Sequence, residues 1–371
     1  MSENQVSFFA GANTPGGFVS LFDGLYDAYG NWRAFIIKGG PGTGKSGLMK
    51  RVAAGIEREG FFVERLYCSS DPASLDAIRI PEKRTCILDG TAPHTMEPKF
   101  PGAVEEILNL GEFWDGELLR KQAAAIRKTA ALNQEMHRRS SRFLSAAGTL
   151  LEENKRLLTP HVDIDKIRNY AARFASREFG KPGGTVGTEH QRYLSGITPV
   201  GALVQYHTLP LLCGRIIALD DPYGAVSRYL IRLIRSYALA SGLDVISCLC
   251  PMSAARDIEH LIVPQAGLAL FTENTFHALP FEPSRRIHAR RFMDMDAAGE
   301  HRCRLKFNRR AAGQLIDEAV SLLGNAKEIH DRLEKFYISA MNFEPVDALA
   351  QELIERILGE SQRETGSPFT F

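Results

Sequence analysis

The chain has 371 residues, of which 44% are hydrophobic and 24% are charged, and its formal net charge is +1. The length predicts two domains, and the composition is that of an ordinary globular protein. A net charge this close to zero excludes a global attraction to nucleic acid or to a membrane surface, so any such binding must come from a local patch.

The N-terminal residues lack the pattern of a signal peptide, and no apolar run approaches the roughly 18 to 20 residues that span a bilayer. We therefore expect a cytoplasmic protein without a membrane partner. The six cysteines mostly lie in apolar, strand-like runs. They indicate buried free thiols rather than a zinc site.

Strands and a helix alternate in the first third of the chain. AFIIKG predicts a short strand, and SGLMKRVAAGIEREG predicts a helix with Leu48, Val52 and Ile56 on one face. FFVERLYC predicts a second strand, and RTCILD predicts a third strand that ends at Asp89. This alternation predicts an α/β fold with a parallel sheet, whose ligands lie at the carboxyl ends of the strands.

A glycine-rich loop, GGPGTGKS, joins the first of these strands to the helix. It has the form of a phosphate-binding loop, in which glycines let the backbone amides wrap around a phosphate chain. Lys45 would reach the β and γ phosphates of ATP, Ser46 would ligate Mg²⁺, and the helix dipole would add to the attraction. A glycine-rich turn without a ligand is the alternative. The predicted ATP-binding residues are Gly39, Gly40, Pro41, Gly42, Thr43, Gly44, Lys45, Ser46 and Gly47.

Two aspartates are candidates for the chemistry beside this loop. Asp89 closes an apolar strand, from where its carboxylate can hold the Mg²⁺ shell together with Ser46. Asp71 lies in CSSD after the second strand, where it either faces a phosphate acceptor or caps a turn before Pro72. The predicted catalytic residues are Lys45, Asp89 and Asp71, and the predicted metal ligands are Ser46 and Asp89.

A long helical pattern with heptad-like apolar spacing runs from about Phe113 to Leu158. With a second helix near Asp163 to Phe174, it predicts a hairpin that stands off the sheet. The second half of the chain repeats this pattern at Leu315 to Tyr337 and at Val346 to Leu358. At about 1.5 Å per residue the first long helix reaches on the order of 60 Å. It therefore needs a partner surface, most simply the hairpin of the other half.

The two halves of the chain resemble each other in sequence. FFAGANTPGGFVS resembles YLSGITPVGALVQ, and AFIIKGGPGTGKSGLMKRV matches RIIALDDPYGAVSRYLIRL at an offset of 181 residues. Later matches continue at offsets of 182 to 184, which predicts a tandem duplication. Between the halves, GKPGGTVGTEH predicts a flexible connection. The predicted domains are residues 1–181 and 188–358, followed by a polar tail at 359–371.

The second half lacks the residues proposed for chemistry. The aligned pairs, first half to second, are Lys45 to Val226, Asp71 to Ser253, Asp89 to Thr272, Gly39 to Asp220 and Gly40 to Asp221. Two carboxylates thus stand where the phosphates would lie, so we predict that the second half does not bind a nucleoside triphosphate. His94 is matched by His277 in this inactive half, which favours a structural role for both histidines.

The pattern resembles a family of uncharacterised bacterial ATPases with two P-loop modules in tandem, in which GGPGTGKS, CSSDPASLD and ILDGTAPH recur. The resemblance covers nearly the whole chain and implies an ATP-binding protein with ATPase activity. In such relatives the second module often keeps its own GTGKS and aspartate. Here DDPYGAVS and LFTE depart from both, which argues against a mechanism with two sites.

These observations predict a Mg²⁺-dependent ATPase or ATP switch with one active site, in which the helical hairpins transmit a change to a protein partner. No glutamate directly follows Asp89, so weak or partner-stimulated hydrolysis is expected rather than fast turnover. A small-molecule kinase with Asp71 as its base is the alternative. A nucleotide-independent scaffold is a third interpretation.

A basic segment, residues 285–310, contains nine Lys or Arg against three acids. It could form a solvated face, deliver an arginine to the first-half site, or contact nucleic acid. The sequence leaves these three roles open.

Overall fold

The computed structural model describes residues 5–181 and 183–359, which we call the first and second halves. Residue 182 of the predicted connection and residues 360–371 of the predicted tail lie outside the described residues. The first half contains β1 (Ser7–Phe9), β2 (Gly11–Thr14), β3 (Gly17–Ser20), β4 (Arg33–Lys38), α1 (Lys45–Arg58), β5 (Glu64–Tyr67), β6 (Leu75–Ile80), β7 (Thr85–Asp89), β8 (Glu105–Asn109), α2 (Gly116–Lys121), α3 (Ala123–Leu158) and α4 (Ile164–Glu178). The second half contains β9 (Glu189–Arg192), β10 (Ser195–Thr198), β11 (Gly201–Val204), α5 (Thr208–Leu212), β12 (Arg215–Asp220), α6 (Ser227–Ala240), β13 (Val245–Leu249), β14 (Ile258–Val263), β15 (Leu268–Glu273), β16 (Arg285–His288), α7 (Met295–Ala298), α8 (Arg302–Ile338) and α9 (Glu344–Gly359).

Each half contributes one six-stranded mixed sheet. The strand orders are β1-β5-β6-β7-β4-β8 and β9-β13-β14-β15-β12-β16, so strands of the same rank take the same place. In each sheet one strand, β6 or β14, runs antiparallel to both neighbours. The expectation of a purely parallel sheet is therefore wrong. Only residues 68–74 separate β5 from β6, and a parallel crossover needs about a dozen or more.

The two sheets pack face to face, and helices cover their outer faces. Ala34 and Ile36 of β4 belong to the core between the sheets, whereas Phe35 and Ile37 belong to the core beneath α1, because successive side chains of a strand point to opposite faces. From the second sheet, Phe271 of β15 reaches the same inter-sheet core. The fold is therefore a four-layer α/β/β/α arrangement.

A buried ion pair crosses the interface between the sheets. Glu64 Oε1 accepts a hydrogen bond of 2.6 Å from Arg192 Nε, and Glu64 Oε2 lies 3.5 Å from Arg79 Nη1. All three side chains are almost fully buried. Burial opposes ionisation of Glu64, but the charges of Arg192 and Arg79 outweigh it and lower the pKa of Glu64 to about 2.

The long helices α3 and α8 pack along each other in antiparallel directions, as expected from their need for a partner surface. Asn133 Nδ2 donates to Ala326 O (2.8 Å), and Ser140 Oγ donates to Ala319 O (3.1 Å). α3 has 36 residues, so it is about 54 Å long. No helix in the described residues, this pair included, is long and apolar enough to span a bilayer.

The helices that follow α3 and α8 pack on the opposite half: α4 lies against α6, and α9 lies against α1. Ile167 and Phe174 of α4 belong to the second-half core, and Val346 and Leu353 of α9 belong to the first-half core. The predicted hairpins standing off the sheets do not form, because the apolar faces of α4 and α9 complete the outer helix layer of the other half.

Two matching junctions hold α4 and α9 against the opposite halves, an arrangement that we call the exchange. The first junction joins residues 110–115 to the α8–α9 turn (339–343), and the second junction joins residues 289–294 to the α3–α4 turn (159–163). The hydrogen bonds are Asp115 N to Ala340 O (2.8 Å) and Asn342 N to Phe113 O (2.8 Å) at the first junction, and Asp294 N to His161 O (2.9 Å) and Asp163 N to Phe292 O (2.8 Å) at the second.

The cysteines are free thiols, as the sequence predicts. Cys86, Cys213 and Cys248 are buried, and burial raises the pKa of each thiol. Cys303 is exposed, which departs from the predicted pattern.

Candidate phosphate-binding site

The loop GGPGTGKS connects β4 to α1 at the carboxyl edge of the first sheet. Gly42 and Gly44 have φ angles of +73° and +90°, a region that other residues rarely adopt. α1 begins at Lys45, and its first hydrogen bond runs from Leu48 N to Gly44 O (2.8 Å). The amides of the first turn therefore have no partner within the helix and can bind an anion.

The Lys45 ammonium and the Asp89 carboxylate lie together at this loop. Lys45 Nζ is 3.4 Å from Asp89 Oδ2, and it donates hydrogen bonds of 3.0 Å to both Gly39 O and Gly40 O. The two side chains are 12% and 15% exposed, so a ligand can reach them while salt screens them little. Asp89 Oδ1 accepts hydrogen bonds from the amide and hydroxyl of Thr91 (2.9 and 2.5 Å), which orient the carboxylate.

Ser46 of the loop and Asp71 of the β5–β6 turn both form hydrogen bonds near the end of this turn. Ser46 Oγ accepts a hydrogen bond from Leu75 N (2.9 Å). Asp71 Oδ2 accepts one from Ser74 Oγ (2.8 Å) and lies 3.6 Å from Nζ of Lys327 on α8. Asp71 thus caps its turn and also pairs with a second-half cation, while the Ser46 hydroxyl keeps a lone pair for another partner.

The remaining loop residues shape the backbone. Thr43 is fully buried and its hydroxyl donates to Gly40 O (2.8 Å). A Cβ at Gly39 would lie 2.7 Å from that hydroxyl, so a larger residue does not fit there. A Cβ at Gly47 would meet only the end of Arg51 at 3.9 Å. The backbone space around the loop therefore requires glycine at Gly39 but not at Gly47, and Pro41 lies between these positions.

The C-terminal end of α8 covers the loop from the second half. A Cβ at Gly40 would lie 2.5 Å from Tyr337, and one at Gly42 would lie 2.8 Å from Glu334 O. This close approach is the reason for glycine at Gly40, and at Gly42 it adds to the positive φ. The site is therefore built from both halves of the chain.

α8 also presents polar side chains here. We call Lys327, His330, Glu334 and Tyr337 the α8 polar face, because spacings of three and four residues place them on one side of the helix. His330 Nε2 lies 3.5 Å from Glu334 Oε1. Hydrogen bonding to His330 lowers the pKa of Glu334, and the Gly42 amide contributes to the same shift. A second-half carboxylate thus interacts with an amide of the predicted phosphate loop. The α8 polar face was not predicted from the sequence, where its signal is a row of polar residues at helical spacing.

The corresponding second-half loop joins β12 to α6, and it is aligned differently from the sequence match. α1 begins at Lys45 and α6 begins at Ser227, an offset of 182. Gly42 and Gly224, with φ of +73° and +71°, match at the same offset. The predicted pairing of Lys45 with Val226 is therefore wrong by one residue, and Ser227 takes that place. The second loop lacks the lysine in either alignment.

Asp221 fills the second loop with its own carboxylate. It accepts hydrogen bonds from Gly224 N (3.1 Å), Val226 N (2.9 Å) and Ser227 N (2.7 Å), and it is almost fully buried. These amides include those at the start of α6, where a phosphate-binding loop would hold its phosphate. The second loop therefore already contains an anion.

A mainly apolar cavity of about 100 Å³ opens beside the second loop. Lys155 of α3 lies over the second loop, as Glu334 of α8 lies over the first loop. Lys155 Nζ pairs with Asp257 Oδ2 at 2.8 Å, and a Cβ at Gly224 would lie 3.4 Å from Lys155 Cε. Lys155, which approaches the second loop, is thus already paired with a carboxylate of the protein.

His94 lies in the core, whereas His277 is partly buried and lines the cavity beside the second loop. His94 stacks on Phe22 with ring centroids 4.3 Å apart, and its Nε2 is 3.0 Å from Asp76 Oδ2. His277 Nε2 is 3.7 Å from Glu259 Oε1. This packing supports a structural role for both.

The basic segment 285–310 does not reach the candidate site. Arg286 pairs with Glu273 inside the second half. Within residues 5–181 and 183–359, none of its cations forms a hydrogen bond or ion pair with GGPGTGKS. The second-half cation that contacts a predicted site residue is Lys327.

Comparison of this chain with protein-family models, with curated proteins and with solved structures found no match. The interpretation of the site therefore depends on its own geometry.

Proposed function

We propose that this protein binds one ATP with Mg²⁺ at the first-half loop and acts as a slow or partner-stimulated ATPase or ATP switch. The observation that carries the proposal is the pairing of Lys45 with Asp89 at 3.4 Å, beside two positive-φ glycines and a helix N-terminus. A lysine, a carboxylate and unpaired amides are the groups that hold a nucleoside triphosphate and its metal. The sequence has no N-K-x-D segment for guanine, so adenine is proposed.

The residues around the loop fit a triphosphate with magnesium. The first-turn amides of α1 are oriented toward an anion, and Lys45 can exchange its carbonyl partners for phosphate oxygens. The Ser46 hydroxyl and the Asp89 carboxylate are oxygen ligands of the kind that Mg²⁺ prefers. When bound, magnesium would neutralise charge on the phosphate oxygens.

The same arrangement favours slow hydrolysis. Gly90 follows Asp89, so no carboxylate stands in the next position to activate a water. Burial alone would lower the pKa of Lys327, but hydrogen bonding to Asp331 and the charge of Asp71 raise it, so Lys327 stays positive. In this proposal Lys327 supplies the cross-domain cation that an arginine supplies in many nucleotide hydrolases.

The proposal includes a tandem duplication of P-loop modules, which the resemblance to tandem P-loop ATPases implies. In contrast to many such relatives, only the first module stays active in this proposal. Three observations support the duplication: the shared strand order, the matching junction hydrogen bonds, and the positive φ at both Gly42 and Gly224. The carboxylate of Asp221 explains why the second module would not take a triphosphate.

The proposed switch acts through α8. Its C-terminal end contacts the loop through Tyr337 and Glu334, and its 37 residues extend back into the second half. A nucleotide that displaces this end would therefore move the α3–α8 pair, which is the surface we propose for a protein partner. The basic segment 285–310 leaves a nucleic-acid contact as a secondary possibility.

ATP binding by the purified protein tests the proposal. We expect calorimetry with Mg²⁺ to give one ATP per chain for the wild type and none for Lys45→Ala, because the charge on the phosphates loses its partner. Ser227→Ala, at the matching position of the second loop, is the control and should bind as the wild type does. Binding that survives Lys45→Ala, or that disappears in Ser227→Ala, contradicts a single first-half site.

The alternative is a small-molecule kinase with Asp71 as the base. Because Asp71 is held by Ser74 and paired with Lys327, the geometry favours the ATPase. Phosphate release without an added acceptor distinguishes them, since a kinase would release little phosphate until an acceptor is supplied.

A further inference from the structure

Two histidines and a glutamate meet at the second junction, away from the candidate nucleotide site. His161 ends the 3-10 helix Thr159–His161, and His301 ends the 3-10 helix Gly299–His301, which also contains Glu300. One ligand atom from each of the three side chains lies within 4.8 Å of the other two. The imidazole centroids are 5.4 Å apart.

These side chains have ligand atoms to offer. His301 Nε2 lies 3.4 Å from Glu300 Oε1, and the ring of His161 makes no hydrogen bond or ion pair within the described residues. Glu300 is exposed and both histidines are half-buried, so an ion can enter from solvent. Two imidazoles and one carboxylate form a donor set typical of zinc, with the fourth position left for water.

A second cluster of the same composition, Glu259, His260 and His277, is not available in this way. His260 Nδ1 accepts a hydrogen bond from Thr272 N (3.1 Å), so the neutral ring carries its proton on Nε2. Burial lowers the pKa of His260 well below its usual value, which keeps the ring neutral. Its Nε2 therefore has no lone pair for a metal.

The segments of the first junction, residues 110–115 and 339–343, contain no histidine. The matching hydrogen bond places Ala340 where the second junction has His161, and Trp114 packs against Tyr337 with ring centroids 5.8 Å apart. Aromatic side chains thus pack at the first junction. At the second junction two imidazoles lie together, where the α3–α4 turn contacts the second half.

We infer that His161, Glu300 and His301 form a zinc site that fastens the α3–α4 turn to the second half. The ion would link segments 159–161 and 299–301, which are far apart in sequence, and would bind the folded chain in preference to the unfolded one. A metal-fixed second junction leaves the first junction, at the candidate nucleotide site, as the one that can open.

The test uses the full chain after chelator treatment and removal of the chelator. It is titrated with ZnCl₂, and with CoCl₂ as a spectroscopic probe. We expect one zinc per chain, a visible absorption band of tetrahedral cobalt, and a higher unfolding temperature with zinc. His161→Ala and His301→Ala should each weaken zinc binding more than about tenfold and remove the cobalt band.

His288→Ala is the matched control, because His288 directly precedes the junction segment 289–294 but is paired with Asp220 (2.8 Å) and is not a proposed ligand. It should bind zinc as the wild type does. Glu300→Gln changes an exposed side chain and keeps the test valid if a histidine variant misfolds; it too should weaken binding. No zinc binding by the wild type, or unchanged affinity in the folded junction variants, overturns the proposal.

Discussion

Glu334 lies over Gly42 of the loop, and the Gly42 amide contributes to the lowered pKa of its carboxyl group. In the proposed function, a phosphate oxygen of ATP would bring another negative charge to this place. Like charges repel each other, so in the proposed function Glu334 would oppose nucleotide binding to the ligand-free protein. Each loop thus faces a carboxylate. Asp221 belongs to its own loop and cannot leave it, whereas Glu334 belongs to a separate helix that can withdraw.

Glu334→Gln should therefore tighten ATP binding. Loss of the charge at constant size is expected to contribute about 1 kcal/mol, or roughly a fivefold lower Kd. Glu328→Gln, on an exposed position of the same helix, should leave the Kd unchanged. Calorimetry with MgATP measures both variants, and weaker binding by Glu334→Gln would show that the carboxylate supports the nucleotide instead.

The loop residues could be predicted from the sequence, whereas the position of Glu334 could not, and the reason is physical. The mutual positions of Lys45, Ser46 and the loop glycines depend on local backbone geometry, so their spacing in sequence is informative. The contact of Glu334 with Gly42 depends on where a long helix from the other half ends. No local pattern contains that information.

At the N-terminus of helix α6, Asp221 acts as the cap by accepting three amide hydrogen bonds. Asp221→Ala leaves the buried amides of Val226 and Ser227 without this partner, so we expect it to lower the free energy of unfolding by about 2 to 3 kcal/mol. Asp220→Ala removes the neighbouring, half-exposed carboxylate and should cost less than about 1 kcal/mol. Denaturant unfolding compares them, and equal losses would contradict the capping role.

Among the elements, β4, β5, β7 and α1 were predicted from their apolar patterns, whereas β6 and the start of α8 were not. β6 contains Asp76 and Arg79, which look solvent-exposed in sequence but are buried and paired with His94 and Glu64. α8 begins at Arg302 in the basic segment, before its apolar periodicity becomes visible. Charged residues thus concealed both elements: those of β6 are satisfied by distant partners, and those at the start of α8 precede its apolar pattern.

In the whole molecule, the buried pair of Glu64 and Arg192 ties one sheet to the other. Burial opposes ionisation of Glu64, yet Arg192 and Arg79 lower its pKa from 4.5 to about 2 on folding. A lowered carboxylate pKa gives stability that is complete above the unfolded value and is lost as the pH falls toward the folded value. Protonation of Glu64 should therefore lower the free energy of unfolding by on the order of 3 kcal/mol between about pH 4.5 and pH 2.

Glu64→Gln should remove this part of the acid dependence. It should also cost about 3 to 5 kcal/mol at pH 7, because two buried arginines lose their partner. Glu106→Gln, in a partly exposed pair with Arg356, should cost less than about 1 kcal/mol. Denaturant unfolding at pH 7, 4 and 3 tests this, and a wild-type pH slope in Glu64→Gln would refute the assignment.

The internal repeat predicted similar elements in both halves, but not the exchange of their last helices. Hydrophobic periodicity shows that α4 and α9 each have an apolar face, and it does not specify which sheet that face covers. The later sequence matches, at offsets of up to 184 residues, were also displaced near the end of each half. The junction hydrogen bonds match Asp163 with Asn342, an offset of 179.

The exchange also determines when the first core can be completed during synthesis. The ribosome makes GGPGTGKS and the first sheet early, but α9, which covers α1, comes after every other strand and helix of the two sheets. Domains usually fold in the order in which they are translated, whereas here the apolar face of α1 must wait for the second half. A nascent fragment that ends after the first half carries the complete GGPGTGKS loop on an unfinished core, so the proposed nucleotide binding would be disfavoured in incomplete chains.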